Sequence, residues 1–86
     1  MASFRLLIKP SAGKELEAVP AKDRSRLVSK IQGLSVNPRP AGSEKLSGEQ
    51  KYRVRQGDYR VVYSIDDSAL IVMIVKVGHR REVYRN

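Results

Sequence analysis

Residues 51–65 read KYRVRQGDYRVVYSI, and their pattern predicts a β-hairpin. β-Branched and aromatic residues alternate with arginine on either side of Gly57-Asp58, which predicts two strands at residues 51–56 and 59–65. Gly57-Asp58 is typical of a two-residue hairpin turn, and a turn of that length fixes the register of the strands. The pairs that it places opposite each other are Gln56 and Tyr59, Arg55 and Arg60, Val54 and Val61, and Tyr52 and Tyr63.

This register sorts the hairpin into two unlike sides, because opposite residues share a face of the sheet. The apolar side, which suits packing against helices, carries Tyr52, Val54, Val61 and Tyr63. The other side gathers Arg53, Arg55 and Arg60, and the first two lie about 6.6 Å apart along their strand. These cations repel one another, and the only acid that the sequence places near them is Asp58 in the turn. Arginine grips phosphate oxygens bidentately, so the set predicts an anion site.

Two helices are predicted in the first half of the chain. A short strand at residues 4–9 precedes them, and Pro10-Ser11 ends that strand and offers a serine cap for a helix through residues 13–17. The second helix has Pro20 in its first turn and continues to Leu34, because its apolar residues recur at spacings of three and four. Together the two segments predict a helical hairpin that packs on the sheet.

The remaining segments complete the predicted fold. Residues 35–48 are rich in proline, glycine and serine, which predicts an extended connection, and a turn at residues 66–68 leads to a last strand at residues 70–77. The 86 residues suffice for one modest core, so we predict a single domain spanning residues 1–86. Its class is α+β, with an N-terminal strand and a helical hairpin packed on a small, mainly antiparallel sheet.

The composition points to an anionic partner and is compatible with a reducing compartment. The formal net charge is +8, and nucleic acid, an acidic protein or an anionic membrane would each complement it. The chain has no cysteine, so it has neither a disulfide framework nor a thiolate metal site. The apolar runs are too short for a signal peptide or a membrane span, and we therefore expect a cytoplasmic protein that does not enter the membrane.

The end of the chain carries a further motif, Gly-His-Arg-Arg-Glu-Val-Tyr-Arg at residues 78–85, behind the Tyr-Arg-Val-Val-Tyr strand at residues 59–63. With these motifs, and with its order of elements, essentially the whole chain resembles the RelE branch of the RelE/ParE toxin superfamily. The resemblance implies a RelE-like, microbial ribonuclease-type fold and a toxin of a type II toxin-antitoxin system. It also implies a metal-independent mRNA endonuclease (an mRNA interferase) that cuts in the ribosomal decoding site and so inhibits translation. Its implied partners are the ribosome with bound mRNA and a cognate acidic antitoxin, which would hold the toxin in a hetero-oligomer.

The same resemblance assigns roles to single residues. The residues implied to be catalytic are Arg53, Arg55, Arg60, Arg80 and Tyr84. Beside them we predict that Lys51, His79, Arg81 and Arg85 bind RNA, although the family varies at the position of His79. Attack by the 2′-hydroxyl needs that oxygen deprotonated, the charge of the phosphorane stabilised and the leaving oxygen protonated. Arginine serves the second task directly, and the tyrosine would orient or deprotonate the hydroxyl or stack on a base.

Histidine and carboxylates offer alternative chemistry. His79 is the one histidine of the chain, and it could act as an acid or base or only contact phosphate. Asp66, Asp67 and Glu82 have no metal-ligand spacing, so we predict no metal and no cofactor. Glu82 is expected to pair with Arg81 or Arg85.

Two other functions remain open at this point. The ParE branch shares the implied fold but inhibits DNA gyrase, and it generally lacks the basic set together with the terminal tyrosine. The third alternative is a non-enzymatic basic module that binds RNA or an acidic partner.

Overall fold

The computed structural model describes residues 3–46 and 50–80. The predicted site residues Arg81, Tyr84 and Arg85, and the carboxylate of Glu82, therefore lie outside the described part of the chain. The elements are β1 (Arg5–Ile8), α1 (Pro10–Glu17), α2 (Ala21–Gly33), β2 (Glu44–Lys45), β3 (Lys51–Gln56), β4 (Tyr59–Asp66) and β5 (Ile71–His79).

These strands form one sheet in the order β1-β5-β4-β3-β2. β1 runs parallel to β5, and every other neighbouring pair is antiparallel. The predicted α+β class with a mainly antiparallel sheet is confirmed. Within the described ranges, no helix is long and apolar enough to cross a membrane.

The β3–β4 hairpin has the register that its turn predicts. Gly57 adopts a φ of +60°, which glycine reaches without the steric penalty that other residues meet. The observed pairs include Gln56↔Tyr59, Arg55↔Arg60, Val54↔Val61 and Tyr52↔Tyr63. The separation of an apolar side from an arginine side is thereby confirmed, since opposite residues share a face.

The core lies between the helices and the apolar side of the sheet. From α2 come Leu27 and Ile31, which are buried in one cluster with Val61 and Tyr63 of β4. Leu34 follows α2 and is also buried there. The spacing of four and three that predicted this helix therefore marks the face that it buries.

The start of α1 differs from the prediction. The helix begins at Pro10, and its N-cap, Lys9, makes no side-chain cap hydrogen bond, so the serine cap is wrong. Proline suits the first helical position because its φ is already helical and it has no N–H to satisfy. Ser11 consequently lies inside the first turn. In α2 the first helical residue is Ala21, and Pro20 is its N-cap.

The connection after α2 is more structured than an extended linker, because it contains β2. The hydroxyl of Tyr63 donates to the carbonyl of Pro38 at 2.7 Å, which fastens the start of the connection to the sheet. Arg39 donates to both carboxylate oxygens of Asp67, at 3.2 and 2.8 Å, and to the hydroxyl of Tyr52 at 3.1 Å. These bonds direct the connection back along the sheet, where β2 pairs with β3.

The second half of β5 runs past the end of β1. β1 pairs with β5 only as far as Ile74, and the β4–β5 register shifts between Val62 and Tyr63. Glu15 of α1 covers the edge beyond that point: its carboxylate accepts from the Val77 N–H at 2.9 Å and from Lys76 Nζ at 3.2 Å. The strand continues to His79, two residues beyond the predicted end at residue 77.

Candidate nucleic-acid interface

Three predicted site residues meet on the sheet face opposite the helix-packed core. Arg53 and Arg55 alternate with buried Val54 along β3, and Arg60 lies directly opposite Arg55 on β4. Lys51 belongs to the same face, because residues two apart in a strand point the same way, and it is half-buried. We name the set of Arg53, Arg55 and Arg60 the arginine face.

Arg60 is the buried member of the arginine face, with 8% of its surface exposed. β4 is the central strand of the sheet, and the residue that faces Arg60 from β5 is Gly78, which has no side chain. The Nη1 of Arg60 donates to the Tyr59 carbonyl at 3.3 Å. Arginine does not lose its charge at cellular pH, so the fold holds a permanent, immobilised cation in the middle of this face.

A carboxylate that the sequence analysis did not place here contacts the arginine face. Glu44 of β2 pairs with Arg53 in register, and its Oε1 lies 2.8 Å from Arg53 Nη2. The expectation that Asp58 is the only nearby acid is therefore wrong. Glu44 stands nine residues before Arg53 in a segment read as a connection, and a strand of two polar residues shows no alternation that would reveal it.

The charge of the arginine face shows in the ionisation of Glu44. Its pKa is lowered, first by the hydrogen bond from Arg53, then by the charge of Arg53, with smaller contributions from the charges of Arg55 and Arg60. Desolvation of the carboxylate raises the pKa; this effect is smaller than either effect of Arg53 and larger than the contributions of Arg55 and Arg60. All three arginines thus stabilise an anion that lies at the position of Glu44.

The backbone of Arg80 is hydrogen-bonded to the turn of the β3–β4 hairpin. Its N–H donates to the carbonyl of Asp58 at 2.8 Å, and the residue is exposed. This bond lies one residue beyond the Tyr59↔His79 pair of β4 and β5. The chain end thereby brings a fourth arginine to the end of the sheet where Arg55 and Arg60 lie.

His79 lies away from the arginine face. It pairs with Tyr59, and the two rings pack edge to face with centroids 5.7 Å apart at 78°. Tyr59 shares the side of the sheet on which Val61 is buried, so His79 belongs to the helix-packed side. A cleft of about 200 Å³ borders the pair. Its lining residues are Glu15, Ala18, Val19, Tyr59, Lys76, Val77, Gly78 and His79.

One more cation reaches the hairpin from a helix. A hollow of about 260 Å³ beside the turn is lined by Lys30 of α2 together with Arg55 and Gly57. Among residues 3–46 and 50–80, no three His, Asp or Glu side chains gather into a possible metal site. The absence of a metal stays a prediction, because Glu82 lies outside those ranges.

Comparison with known proteins gives consistent results along nearly the whole chain. A family model described as the ParE toxin of type II toxin-antitoxin system, parDE, matches residues 6–84. Toxin RelE of Mycobacterium tuberculosis is 33% identical over 84 residues, which cover 95% of this chain and 87% of that protein. Putative toxin RelE1 of Methanocaldococcus jannaschii is 30% identical over 87 residues, covering 96% of this chain and 97% of that protein.

Solved structures agree with the fold. The archaeal RelE-RelB complex from Pyrococcus horikoshii OT3 contains a chain that superposes with a TM-score of 0.82 at 29% identity, covering 98% of this chain and 99% of that one. A mutant of E. coli toxin RelE in the free state, with two arginines replaced by alanine, superposes with a TM-score of 0.78 at 30% identity. The superposition covers 98% of this chain and 92% of that one. The chain therefore belongs to the RelE/ParE superfamily of toxins of type II toxin-antitoxin systems.

Proposed function

We propose that this toxin is a metal-independent endoribonuclease that cuts mRNA in the decoding site of the ribosome and so inhibits translation. The observation that carries the proposal is the arginine face, where Arg53, Arg55 and a buried Arg60 share one side of a hairpin. Similarity to toxins named RelE supports the same activity. The bond that breaks is the one between phosphorus and the 5′-oxygen, after the neighbouring 2′-oxygen attacks that phosphorus.

Each arginine suits a different part of this reaction. Arg60 and Arg80 are assigned to the negative charge that develops on the phosphorane. A buried cation such as Arg60 needs no reorganisation as that charge appears, and the backbone bond of Arg80 to Asp58 places a second arginine at the same end of the sheet. Arg53 and Arg55 bind and position the phosphate backbone, and they assist proton transfer. Tyr84 is assigned to the 2′-hydroxyl, which it orients or deprotonates, or to stacking on a base.

Dependence on the ribosome follows from the same set of residues. Arginine and tyrosine are poor acids and bases near neutrality, because their ordinary pKa values are above 12 and about 10. Free RNA also seldom presents its 2′-oxygen in line with the bond that must break. A ribosome that holds the messenger in that geometry would supply the missing orientation.

Further RNA contacts are proposed for Lys51, His79, Arg81 and Arg85. Lys51 extends the arginine face along β3, whereas Arg81 and Arg85 follow Arg80 in the sequence. His79, on the opposite side of the sheet, is assigned to RNA or ribosome contacts at the sheet end rather than to acid-base chemistry at the cleaved phosphate.

A cognate antitoxin is the expected inhibitor. Similar chains occur in solved complexes, among them the toxin-antitoxin complex RelBE2 from Mycobacterium tuberculosis, with a TM-score of 0.81 and 27% identity over 92% of this chain and 100% of that one. We propose that an acidic, partly disordered antitoxin folds on this toxin in the cytoplasm, because a chain of net charge +8 attracts an opposite charge. It would inhibit by covering Arg53, Arg55, Arg60 and Arg80 or by keeping the toxin off the ribosome through bulk.

The family model that matches is named for ParE, which keeps gyrase inhibition as a second candidate. A pair of assays distinguishes mRNA cleavage from gyrase inhibition. Translation in vitro followed by primer extension detects cut messenger, and a gyrase supercoiling assay detects the alternative. We expect new 5′ ends within codons and unchanged supercoiling. Intact messenger with failed supercoiling would favour the gyrase alternative, and neither effect would favour a binding module.

A further inference from the structure

The arginine face of the free toxin already holds an anion of its own. Glu44 lies opposite Arg53 in the β2–β3 pairing, and the two side chains meet at 2.8 Å. A carboxylate hydrogen-bonded to a guanidinium occupies a donor that a phosphate oxygen would otherwise use. Glu44 and Arg53 both lie on the side of the sheet that carries Arg55 and Arg60.

The two partners differ in how firmly the fold holds them. The side chain of Arg53 is 16% exposed, whereas that of Glu44 is 63% exposed. Glu44 belongs to a strand of two residues at the edge of the sheet, just after Gly42, whose φ is +90°. Arg53 is therefore the fixed partner, and Glu44 is the one that can leave when another anion arrives.

We propose that Glu44 is a built-in competitor of the RNA phosphate: it neutralises Arg53 in the free toxin, and the substrate must displace it. This inference rests on the proposed function, because it takes the arginine face as the RNA site. Glu44 weakens binding to nucleic acid in general, and it takes no part in the chemical step. Only an RNA held in place by further contacts, as on the ribosome, easily meets the extra cost of displacement.

The size of the effect follows from the exposure of the carboxylate. An ion pair near the surface is screened by water and salt, so its displacement costs little. Glu44→Gln should tighten binding of a phosphate backbone by about three- to ten-fold at low salt. The gain should shrink as salt is added, because salt weakens the pair that the wild type must break.

A matched control separates this effect from net charge. Glu17→Gln makes the same substitution and the same charge change on an exposed residue of α1, which packs on the other side of the sheet. A toxin that merely becomes more basic would respond alike to both changes. The proposal expects the gain from Glu44→Gln alone.

The binding experiment uses the whole toxin and a short single-stranded RNA whose riboses carry 2′-O-methyl groups, so that cleavage by the 2′-oxygen is impossible. Dissociation constants are measured for the wild type, for Glu44→Gln, Glu17→Gln and Arg53→Ala, and for the double variant that combines Arg53→Ala with Glu44→Gln. We expect the gain from Glu44→Gln to fall by at least half when Arg53 is alanine, because the pair is then already absent. Equal binding by the two glutamine variants, including the case in which neither binds measurably, would overturn the inference.

A kinetic experiment then separates competition from catalysis. On ribosomes programmed with messenger, Glu44→Gln should lower KM about three- to ten-fold and change kcat less than two-fold. A ten-fold fall in kcat would instead show that the carboxylate acts in the chemistry, and the inference would be wrong. Failure of the proposed function looks different, since the wild type would then cut nothing while the binding experiment still decides the role of Glu44.

Discussion

Arg55 lies directly opposite Arg60 across the β3–β4 hairpin, and the first is exposed whereas the second is 8% exposed. Like charges in directly opposite positions destabilise a sheet. β4 is the central strand, so Arg60 has a neighbouring strand on both sides, and Gly78 leaves room for its side chain. A sheet selected only for stability would have an uncharged residue at one of these positions. Substitution in this pair should therefore lower activity without lowering the free energy of unfolding.

Replacing Arg60 by methionine, or Arg80 by alanine, should lower kcat by about 100-fold and change KM only a few-fold, because both cations are assigned to charge that develops in the transition state. The Arg80 variant keeps the backbone bond to Asp58, so only its side chain is removed. Single-turnover cleavage at saturating ribosome is the measurement, and Lys14→Met on α1 is the control for charge. Normal cutting by either variant at saturation would make its arginine a binding residue.

The same Arg60→Met variant should leave the free energy of unfolding unchanged or raise it by up to about 1 kcal/mol, since the facing charge of Arg55 is relieved. Urea denaturation measures this directly and shows whether a loss of activity is a loss of fold.

Arg53→Ala and Arg55→Ala should weaken binding more than Arg60→Met does, because these residues are assigned to the phosphate backbone. Each change should also reduce the steepness of log K against log salt by about one. Filter binding of an RNA oligonucleotide across a salt series measures both quantities. A slope that neither variant changes would contradict the phosphate contacts.

Tyr84→Phe should slow cleavage by about ten- to a thousand-fold, because the phenol is assigned to the 2′-hydroxyl. Single-turnover cleavage of ribosome-bound messenger is the measurement, with circular dichroism as the control for fold. Full activity would remove this residue from the mechanism.

The Arg39–Asp67 ion pair should make a small contribution to stability that disappears in acid. The hydrogen bond from Arg39 lowers the pKa of Asp67 below its ordinary value of 3.8, so the contribution is complete above that value and is lost as the pH falls through the folded-state pKa. The difference in urea midpoint between the wild type and Asp67→Asn should therefore be positive at neutral pH and should vanish in strong acid. Subtracting the variant removes the similar titration of Asp66, whose pKa is lowered by Ser68 and Ala69. A difference that stays constant with pH would contradict this role.

The hairpin was predictable from sequence because two local signals agree there. Gly57-Asp58 sets the length of the turn, and the alternation of Val54 and Val61 with arginine tells which side is buried. A slip of one residue would have exposed every apolar side chain, so only one register is compatible with a core.

Features that depend on contacts between distant segments were not predictable. β2 consists of Glu44 and Lys45, which are both exposed and show no periodicity, and its position follows from the anchoring of Pro38 and Arg39 to the sheet. The burial of Arg60 depends on strand order, which places β4 in the centre. The carboxylate of Glu15 on the edge of β5 accepts from the Val77 N–H, 62 positions further along the sequence. No local pattern reports such contacts.

The assignment of the arginine face to mRNA cleavage is tested most directly by primer extension on messenger translated in vitro with purified toxin. The expected result is a set of new ends within codons in the decoding site, absent when ribosomes are omitted and reduced at least ten-fold by Arg60→Met. Messenger that remains intact with folded wild-type toxin on translating ribosomes, or cutting that is independent of Arg60, would contradict the assignment.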